Sequence, residues 1–483
     1  MTDQLEPDLV AKQRALEGLH DLHPGMNASR TVSRGQLVVL IFLAVLTVLG
    51  FVFKPIGTAQ VFVAIATVAY TVTIVDRVLL FSSGLRVSRA LHVSDEDARN
   101  FPDEDLPTYT ILVPAFHESN IINTLVDHLG ALDYPHEKLQ ILLLLEESDP
   151  ETIQLALAAE RPDYLDIVVV PECHPQTKPK ACNYGLSFAT GELVTIYDAE
   201  DKPEPLQLRR VAVAFSRIPE TVACIQARLK YHNQGQNLLT QWFTLEYDQW
   251  FGYMLPGLMT RRTPIPLGGT SNHMWADVLR SVGGWDPYNV TEDADLGIRL
   301  AYHGYDTAVI DSITLEEANS DPINWVRQRS RWNKGYLMTF LVHTRDLRGL
   351  YKTIGLTGVL GMTVILAGIP LLGVLNLVFW MLTLLWLIAH PAIYKQIFVG
   401  PLYLLPLALL VIGNSAIIYI GVSSARQEGQ NHLIWAALTA PFYWVLMSFG
   451  SLKALWQLVT KPSYWEKTAH GLDEEPEFSR RGS

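Results

Sequence analysis

Two blocks of this chain are apolar without any period, and the long stretch between them alternates. Residues 37–53 (LVVLIFLAVLTVLGFVF) run uninterrupted until Lys54-Pro55, and residues 56–75 form a second run. Each is 17–20 residues long, close to the minimum that crosses a ~30 Å hydrocarbon core. They predict two transmembrane helices within residues 35–80, behind a polar arm over residues 1–34. A cleaved signal peptide fits poorly, because that arm comes first and a second run follows at once. The other apolar block spans residues 353–456. Its first part, 353–390, is too long for one span and holds Pro370, which predicts two helices meeting near Gly368–Gly373. A shallow interfacial helix followed by one span is the runner-up. Residues 397–421 and 432–456 add two more, about four helices in all, and residues 457–483 form a polar tail.

Between about 100 and 345 the pattern changes. Short apolar runs at 109–115, 140–145, 166–170, 193–197 and 222–227 predict buried strands. Asp149-Pro150 supplies an N-cap and a first-turn proline for a helix through 160. A further helix is expected from about 178 to 189, ending at Gly191. Such alternation predicts an α/β domain with a mostly parallel sheet and helices on both faces. Its ligand would lie beyond the carboxyl ends of the strands. No G-x-G-x-x-G follows the first strand and no G-x-x-x-x-G-K-[ST] occurs, which speaks against a dinucleotide oxidoreductase or a P-loop NTPase.

Composition sharpens the class. Of 483 residues, 49% are hydrophobic and 18% charged, below the roughly 25% charged of a soluble domain. The net charge of −12 argues against a nucleic-acid partner, since neutralising phosphates needs basic surface. Cys173, Cys182 and Cys224 lack Cys-x-x-Cys or Cys/His spacing, so neither a disulfide framework nor a zinc site is expected. Arg30 and Arg34 precede the first pair of apolar runs, and Arg77, Arg86 and Arg89 follow it. Basic flanks on both sides predict a hairpin in the inner (plasma) membrane, with the central domain cytoplasmic. The aromatic-rich stretch 239–258 is expected against the bilayer interface, with ordinary core packing an equal alternative.

The strand ends carry the polar chemistry. The first runs into Val113-Pro114-Ala115-Phe116-His117-Glu118-Ser119-Asn120, which by itself reads as a strand leading to a helix capped by Ser119 or Asn120. The second ends in Glu146-Glu147-Ser148-Asp149: either an acidic helix start, favoured by the macrodipole, or a carboxylate for a base or ribose. The fourth ends in Tyr197-Asp198-Ala199-Glu200-Asp201. Carboxylates so close raise one another's pKa unless a cation or hydrogen bonds offset the repulsion. Mg²⁺ or Mn²⁺ would relieve them and bridge phosphates; a solvated acidic turn is the alternative. Thr291-Glu292-Asp293 opens a further helix, and capping by Thr291 with acids in the first turn explains it without chemistry. Gln328, Arg331 and Trp332 stand at i, i+3 and i+4 of a helix that Asp321 caps, with Pro322 at its first position, so they share one face. A guanidinium grips phosphate bidentately and an indole offers a flat face to a sugar ring. Arg and Trp at headgroup level on an interfacial helix is the competing explanation.

Taken in order, Val113-Pro114-Ala115, Lys180-Ala181-x-Asn183, Asp198-x-Glu200, Thr291-Glu292-Asp293 and Gln328-x-x-Arg331-Trp332 resemble a known set. They are similar to the motifs of processive family 2 glycosyltransferases: cellulose, hyaluronan and chitin synthases and their bacterial relatives. The resemblance covers about residues 105–345 and the arrangement of flanking helices. It implies a Rossmann-like GT-A catalytic domain over residues 100–345, a UDP-sugar donor with UDP-glucose foremost, and an Mg²⁺ or Mn²⁺ ion. It also implies inversion onto a growing β-linked polysaccharide. Donor contacts would come from Pro114, Glu118, Glu146, Glu147, Lys180, Asp198, Gln328 and Arg331, and metal contacts from Asp198 and Glu200. Asp293, beside Glu292, would be the general base, and Trp332, Gly269 and Thr270 would meet the acceptor.

Three departures stand out. Glu200 replaces the family's aspartate, and a glutamate rather than an aspartate ends the second strand. Pro266-Leu267-Gly268-Gly269-Thr270 stands where the family has a Phe-Phe-Cys-Gly-type acceptor loop. Extrusion of polymer through the C-terminal helices is implied by the family and by nothing in those helices themselves. A non-processive enzyme adding one sugar to a lipid-linked acceptor shares every donor motif. A transporter or receptor with a cytoplasmic domain would leave the five ordered motifs unexplained. The tail has no room for a built-in cyclic-dinucleotide receptor, so export or regulation would fall to accessory subunits.

Overall fold

The computed structural model describes residues 4–86, 90–117, 122–462 and 464–466. The apolar runs form strands β1 (Tyr109–Ala115), β2 (Leu139–Glu146), β3 (Leu165–Val170), β4 (Leu193–Ile196) and, after the two-residue β5 (Lys202–Pro203), β6 (Val222–Tyr231). Two further strands, β7 (Asn272–Trp275) and β8 (Asp306–Glu316), complete one sheet of order β3-β2-β1-β4-β7-β6-β8-β5. β2 is buried along its length, as its unbroken LQILLLL run requires of a strand covered on both faces. Parallel pairing joins β1 to β2 and β4, β2 to β3, and β6 to β8. β7 runs antiparallel to β4 and β6, and β5 antiparallel to β8. The sheet is therefore mixed rather than mostly parallel. β5 and β7 are too short to show a pattern, and Asp311 and Ser312 interrupt the apolar positions of β8.

The N-terminal arm covers the sheet's outer strand: Gln4 donates its N–H to the Ile167 carbonyl and accepts from the Val169 N–H, both at 2.9 Å, so that edge is partly closed. Helix Leu9–Leu22 follows and turns Ala11, Ala15 and Leu19 inward.

Asp149 caps helix Pro150–Ala158 through the Thr152 N–H (3.3 Å), and Asp321 caps helix Pro322–His343 through that of Asn324 (2.7 Å). Thr291 occupies the cap position of helix Glu292–Tyr302 but makes no capping hydrogen bond, contrary to expectation. This helix and Pro322–His343 are tied instead through the core. His343 Nε2 hydrogen-bonds with Asp295 Oδ1 (2.8 Å), and Arg299 Nη2 donates to Asp295 Oδ2 (2.9 Å), all three side chains being buried. Gly335 permits the crossing, since a Cβ there would lie 2.3 Å from Thr291 Oγ1 and 2.8 Å from its Cβ. Gly335→Ala is accordingly expected to destabilise the protein by about 1–3 kcal/mol, the usual cost of overpacking, read as a lowered Tm on thermal unfolding.

Among the described residues four helices are long and apolar enough to cross a membrane: Arg34–Phe53, Pro55–Leu85, the apolar part of Pro322–Ala389, and Pro401–Gln427. Asn431–Leu438 and Ala440–Thr460, bent 63° apart, make a fifth if they count as one. The C-terminal block thus supplies two such helices, or three with the bent pair. The expected break at Gly368–Gly373 is absent. A widened turn at Thr363–Gly368 leads straight into Ile369–Ala389 and takes up the hydrogen bond that Pro370 cannot donate. The chain turns instead at Gly355, φ +68°, in a region open to glycine. Close backbone approach seats helix Pro55–Arg86 on the domain: a Cβ at Gly84 would lie 2.4 Å from the Tyr253 carbonyl oxygen, and one at Gly257 2.6 Å from that of Leu80. The 239–258 stretch therefore lies between the sheet domain and the apolar helices, with Trp242 Nε1 donating to the Ala436 carbonyl (3.0 Å).

Candidate active site

Pro114 near the end of β1, Glu146 at the end of β2 and Asp198 just past β4 come together at the carboxyl edge of the sheet. They line a cavity of about 470 Å³ whose other walls carry Gly269, Thr270, Glu292, Asp293, Gln328, Arg331 and Trp332. Six segments far apart in sequence thus share one space. Glu200 lines it as well. Glu147 does not: it is exposed and accepts the Glu172 N–H at 2.9 Å. Glu118 lies outside the described residues.

The acids after β4 are packed against more acid. Asp201 is buried, accepting the Asp198 N–H (2.7 Å) and the Thr270 hydroxyl. Burial, then the charges of Asp198 and Glu200, push its pKa well above the carboxylate range. Glu316, at the end of β8, is pushed up by burial and by Asp201, Asp198 and Glu200. Thr270, expected to meet an acceptor, instead spends its hydroxyl on Asp201 and the Ile196 carbonyl.

The two lysines of the 178–180 segment point to different places. Lys180 is 1% exposed and donates to Glu146 Oε2 at 2.7 Å; it does not line the cavity. Lys178 does, donating to Asp198 Oδ1 and, at 2.9 Å, to the Gly269 carbonyl. Burial would lower its pKa, but Asp198 and Glu292 outweigh that and raise it, so it stays charged.

Glu292 and Asp293 open their helix toward the same point. A Cβ on Gly269 would sit 3.5 Å from Asp293 Oδ2 and 4.0 Å from Lys178 Nζ, so Gly269 leaves that face of Asp293 uncovered. Burial first, then the Asp293 charge, lift Glu292 to about 8, with Lys178 and Arg331 opposing. Asp293 is also raised, by burial, against its bond from the Ala294 N–H and the charges of Lys178 and Arg331.

The opposite wall is helix Pro322–His343. Buried Gln328 leaves Oε1, and Arg331 leaves Nε, without a hydrogen-bond partner among the described residues. Arg331 Cζ lies 4.9 Å from the centre of the Trp465 ring, which also lines the cavity. Trp332 is held by Phe243 (5.8 Å between ring centres), by Tyr247 (6.3 Å) and by the Arg329 guanidinium 4.7 Å from its ring centre. Arg329 is fixed in turn by two bonds to Glu246, 2.9 and 2.7 Å.

Among the described residues no three His, Cys, Asp or Glu side chains are grouped to hold an ion by themselves. Mg²⁺ in nucleotide sites is typically held by one or two carboxylates plus substrate phosphates. Asp198 and Glu200, on an edge where the orphaned Asp201 Oδ1 and Glu316 add negative charge, fit that role.

Sequence reasoning missed Lys178, Glu316, Arg329 and Trp465. Only Lys178 carried a signal: two residues apart on a helix, it and Lys180 must face different ways, and it stands at the helix start nearest the strand ends.

The model of the family described as "Glycosyltransferase like family 2" matches residues 107–335. A Bacillus subtilis protein, "Probable glycosyltransferase YdaM", is 26% identical over 247 residues, 49% of this chain and 58% of that one. The "Beta-monoglucosyldiacylglycerol synthase" of Trichormus variabilis is 28% identical over 244 residues, 49% and 50% of the two chains. "Probable glucomannan 4-beta-mannosyltransferase 11" of Arabidopsis thaliana is 22% identical over 254 residues, 51% and 57%. The chain thus spans little more than half the length of these relatives. Among solved structures, a mannosyltransferase from Pyrobaculum calidifontis in complex with GDP-Man and Mn²⁺ covers 83% of this chain and 99% of its own, at 17% identity and a TM-score of 0.48.

Proposed function

We propose, from the match of residues 107–335 to a family 2 glycosyltransferase model and their mixed sheet, that this is a GT-A-like domain that transfers a sugar with inversion from a nucleoside diphosphate sugar to an acceptor presented by the membrane helices. One observation carries this reading: Asp198, Asp293 and Trp332 share a single cavity with Ile369, Ile417 and Met447 of the apolar helices. Asp293, ionised, takes the proton of the attacking hydroxyl. Arg331 and Lys178 meet the charge that builds on the departing diphosphate, and Trp332 holds the acceptor ring in line. When bound at Asp198 and Glu200, Mg²⁺ or Mn²⁺ supplies further positive charge to the diphosphate.

The donor is UDP-glucose, as the resemblance of the motifs implies, and the product a growing β-linked polysaccharide, the latter supported by the Gln328, Arg331 and Trp332 stripe on the cavity wall. The domain faces the cytoplasm, consistent with the arginines that flank the first two apolar helices. Transfer of one sugar to a lipid is the second reading, favoured by the apolar wall at the membrane end of the cavity. The purified protein in lipid, given a panel of UDP- and GDP-sugars with Mg²⁺ or Mn²⁺, is expected to release nucleotide from one donor. A ladder of long products supports the polymer and a single glycolipid band the second reading. Silence with every donor in the presence of membrane lipids would overturn both.

The acid pair fixes the pH response. Glu292 is held up at about 8 and Asp293 is raised beside it, so the ionised base becomes scarcer as pH falls. kcat/KM is expected to climb with pH as the raised Asp293 ionises, the rise lying above the ordinary carboxylate range. A profile falling over the same range would exclude Asp293 as the base.

A further inference from the structure

The acids at the strand ends account for part of the cavity; the part that meets the apolar helices has chemistry of its own. It is walled by Trp242, Trp250, Ile369, Ile417, Tyr443 and Trp444, and a cation, Arg77, lines it. Residues 56–75 form an apolar stretch whose twenty residues make about 30 Å of helix. Arg77 follows directly within helix Pro55–Arg86, so a hydrocarbon core filled by those twenty residues would leave it at the depth of lipid headgroups. Interfacial depth is also where tryptophans gather. An arginine that only anchors its helix would turn its head outward to the headgroups; this one lines an interior cavity.

Arg77 feels the charges of Glu246 and Asp76, but it makes no hydrogen bond or close ion pair with any described residue. The carboxylates beside it are engaged: Asp76 by Arg261 at 3.0 Å, and Glu246 by Arg329 at 2.9 and 2.7 Å and by the Tyr443 hydroxyl at 2.5 Å. Gln249 lines the same cavity, and its carboxamide likewise has no hydrogen bond to a described residue. A Cβ at Gly421 would lie 3.7 Å from Gln249 Nε2, so the amide reaches the gap which that glycine leaves. A guanidinium with five donors and an amide on the wall of one cavity are the equipment for gripping a phosphate.

We infer that the membrane end of the cavity binds the phosphate of an anionic lipid, with Arg77 as its anchor and Gln249 as a second donor. The apolar wall and the headgroup depth favour a lipid over free phosphate. This rests on the second reading above, in which a lipid enters the same end of the cavity, and adds the charge of its headgroup.

Native mass spectrometry of the full-length protein in detergent tests the assignment, with dioctanoyl phosphatidylglycerol, dioctanoylglycerol and inorganic phosphate as probes. The anionic lipid is expected to bind about tenfold more tightly than the neutral one, as for one charge-assisted pair. That preference should vanish in Arg77→Gln and survive in part in Arg77→Lys, and inorganic phosphate at equal concentration should not displace the lipid. Equal binding of the two lipids, an unchanged preference in Arg77→Gln, or displacement by phosphate would each overturn it. If Arg77→Gln does not fold, Gln249→Leu decides: binding of the anionic lipid weakened several-fold supports the site, and unchanged binding overturns it. UDP added to the same samples reports separately on the transfer reading, because its binding can fail while the lipid still binds, or the reverse.

Discussion

Asp293→Asn is expected to lower kcat by roughly 10²–10⁴-fold, the usual contribution of a positioned general base, while the nucleotide still binds. The two carboxyl oxygens of Asp293 have separate duties. Oδ1 accepts the Ala294 N–H at 2.7 Å, and Oδ2 faces the gap left by Gly269. Asparagine keeps the size, and with its carbonyl at the Oδ1 position keeps the helix-start bond too, but it has no basic oxygen to offer the acceptor hydroxyl. Nucleotide release under saturating donor and acceptor, with thermal unfolding alongside, measures the effect. Near-normal turnover by a folded variant would remove Asp293 from the mechanism.

Arg331→Gln is expected to cost roughly 10²–10³-fold in kcat, the scale of losing one preorganised donor to a developing charge. Its guanidinium faces the cavity with Nε uncommitted, packed on Trp465. The same substitution has a second signature. Arg331 is one of the two cations holding down the pKa of Glu292 and Asp293. Without it the pair should ionise later, and the rising limb of kcat/KM should move to higher pH. A residue that served packing alone would lower Tm and leave that limb in place.

The legible parts of the fold were those where burial leaves an unbroken mark. β1 to β4 are covered on both faces and read as plain apolar runs, so the edge carrying Pro114, Glu146 and Asp198 could be located before the structure. β7 spans four residues and β8 mixes polar with apolar positions, so the antiparallel half of the sheet left little trace. The site divided similarly. Motif order brought Asp198, Asp293, Gln328, Arg331 and Trp332 to one cavity. Which lysine faces it depends on the direction of a helix, which a motif does not encode. Trp465 reaches Arg331 across more than a hundred residues of chain, through a packing of helices that no local pattern specifies. Thr291 looked like a cap because of its position, yet Gly335 packs against its hydroxyl and methyl instead.

Helix Pro322–His343 belongs to two structures at once. One face presents Gln328, Arg331 and Trp332 to the cavity. From the same helix Asn333 donates to Ser451 at 3.0 Å and Arg329 to the Tyr443 hydroxyl at 3.2 Å, both on helix Ala440–Thr460. The sheet domain is therefore not cleanly separable from the apolar block: a chain ending near residue 345 would lose the helix to which Asn333 and Arg329 bond. The packing of two helices thus ties the cavity wall to the apolar block: a tilt of Ala440–Thr460 would be passed through Asn333 and Arg329 to the helix that carries Trp332.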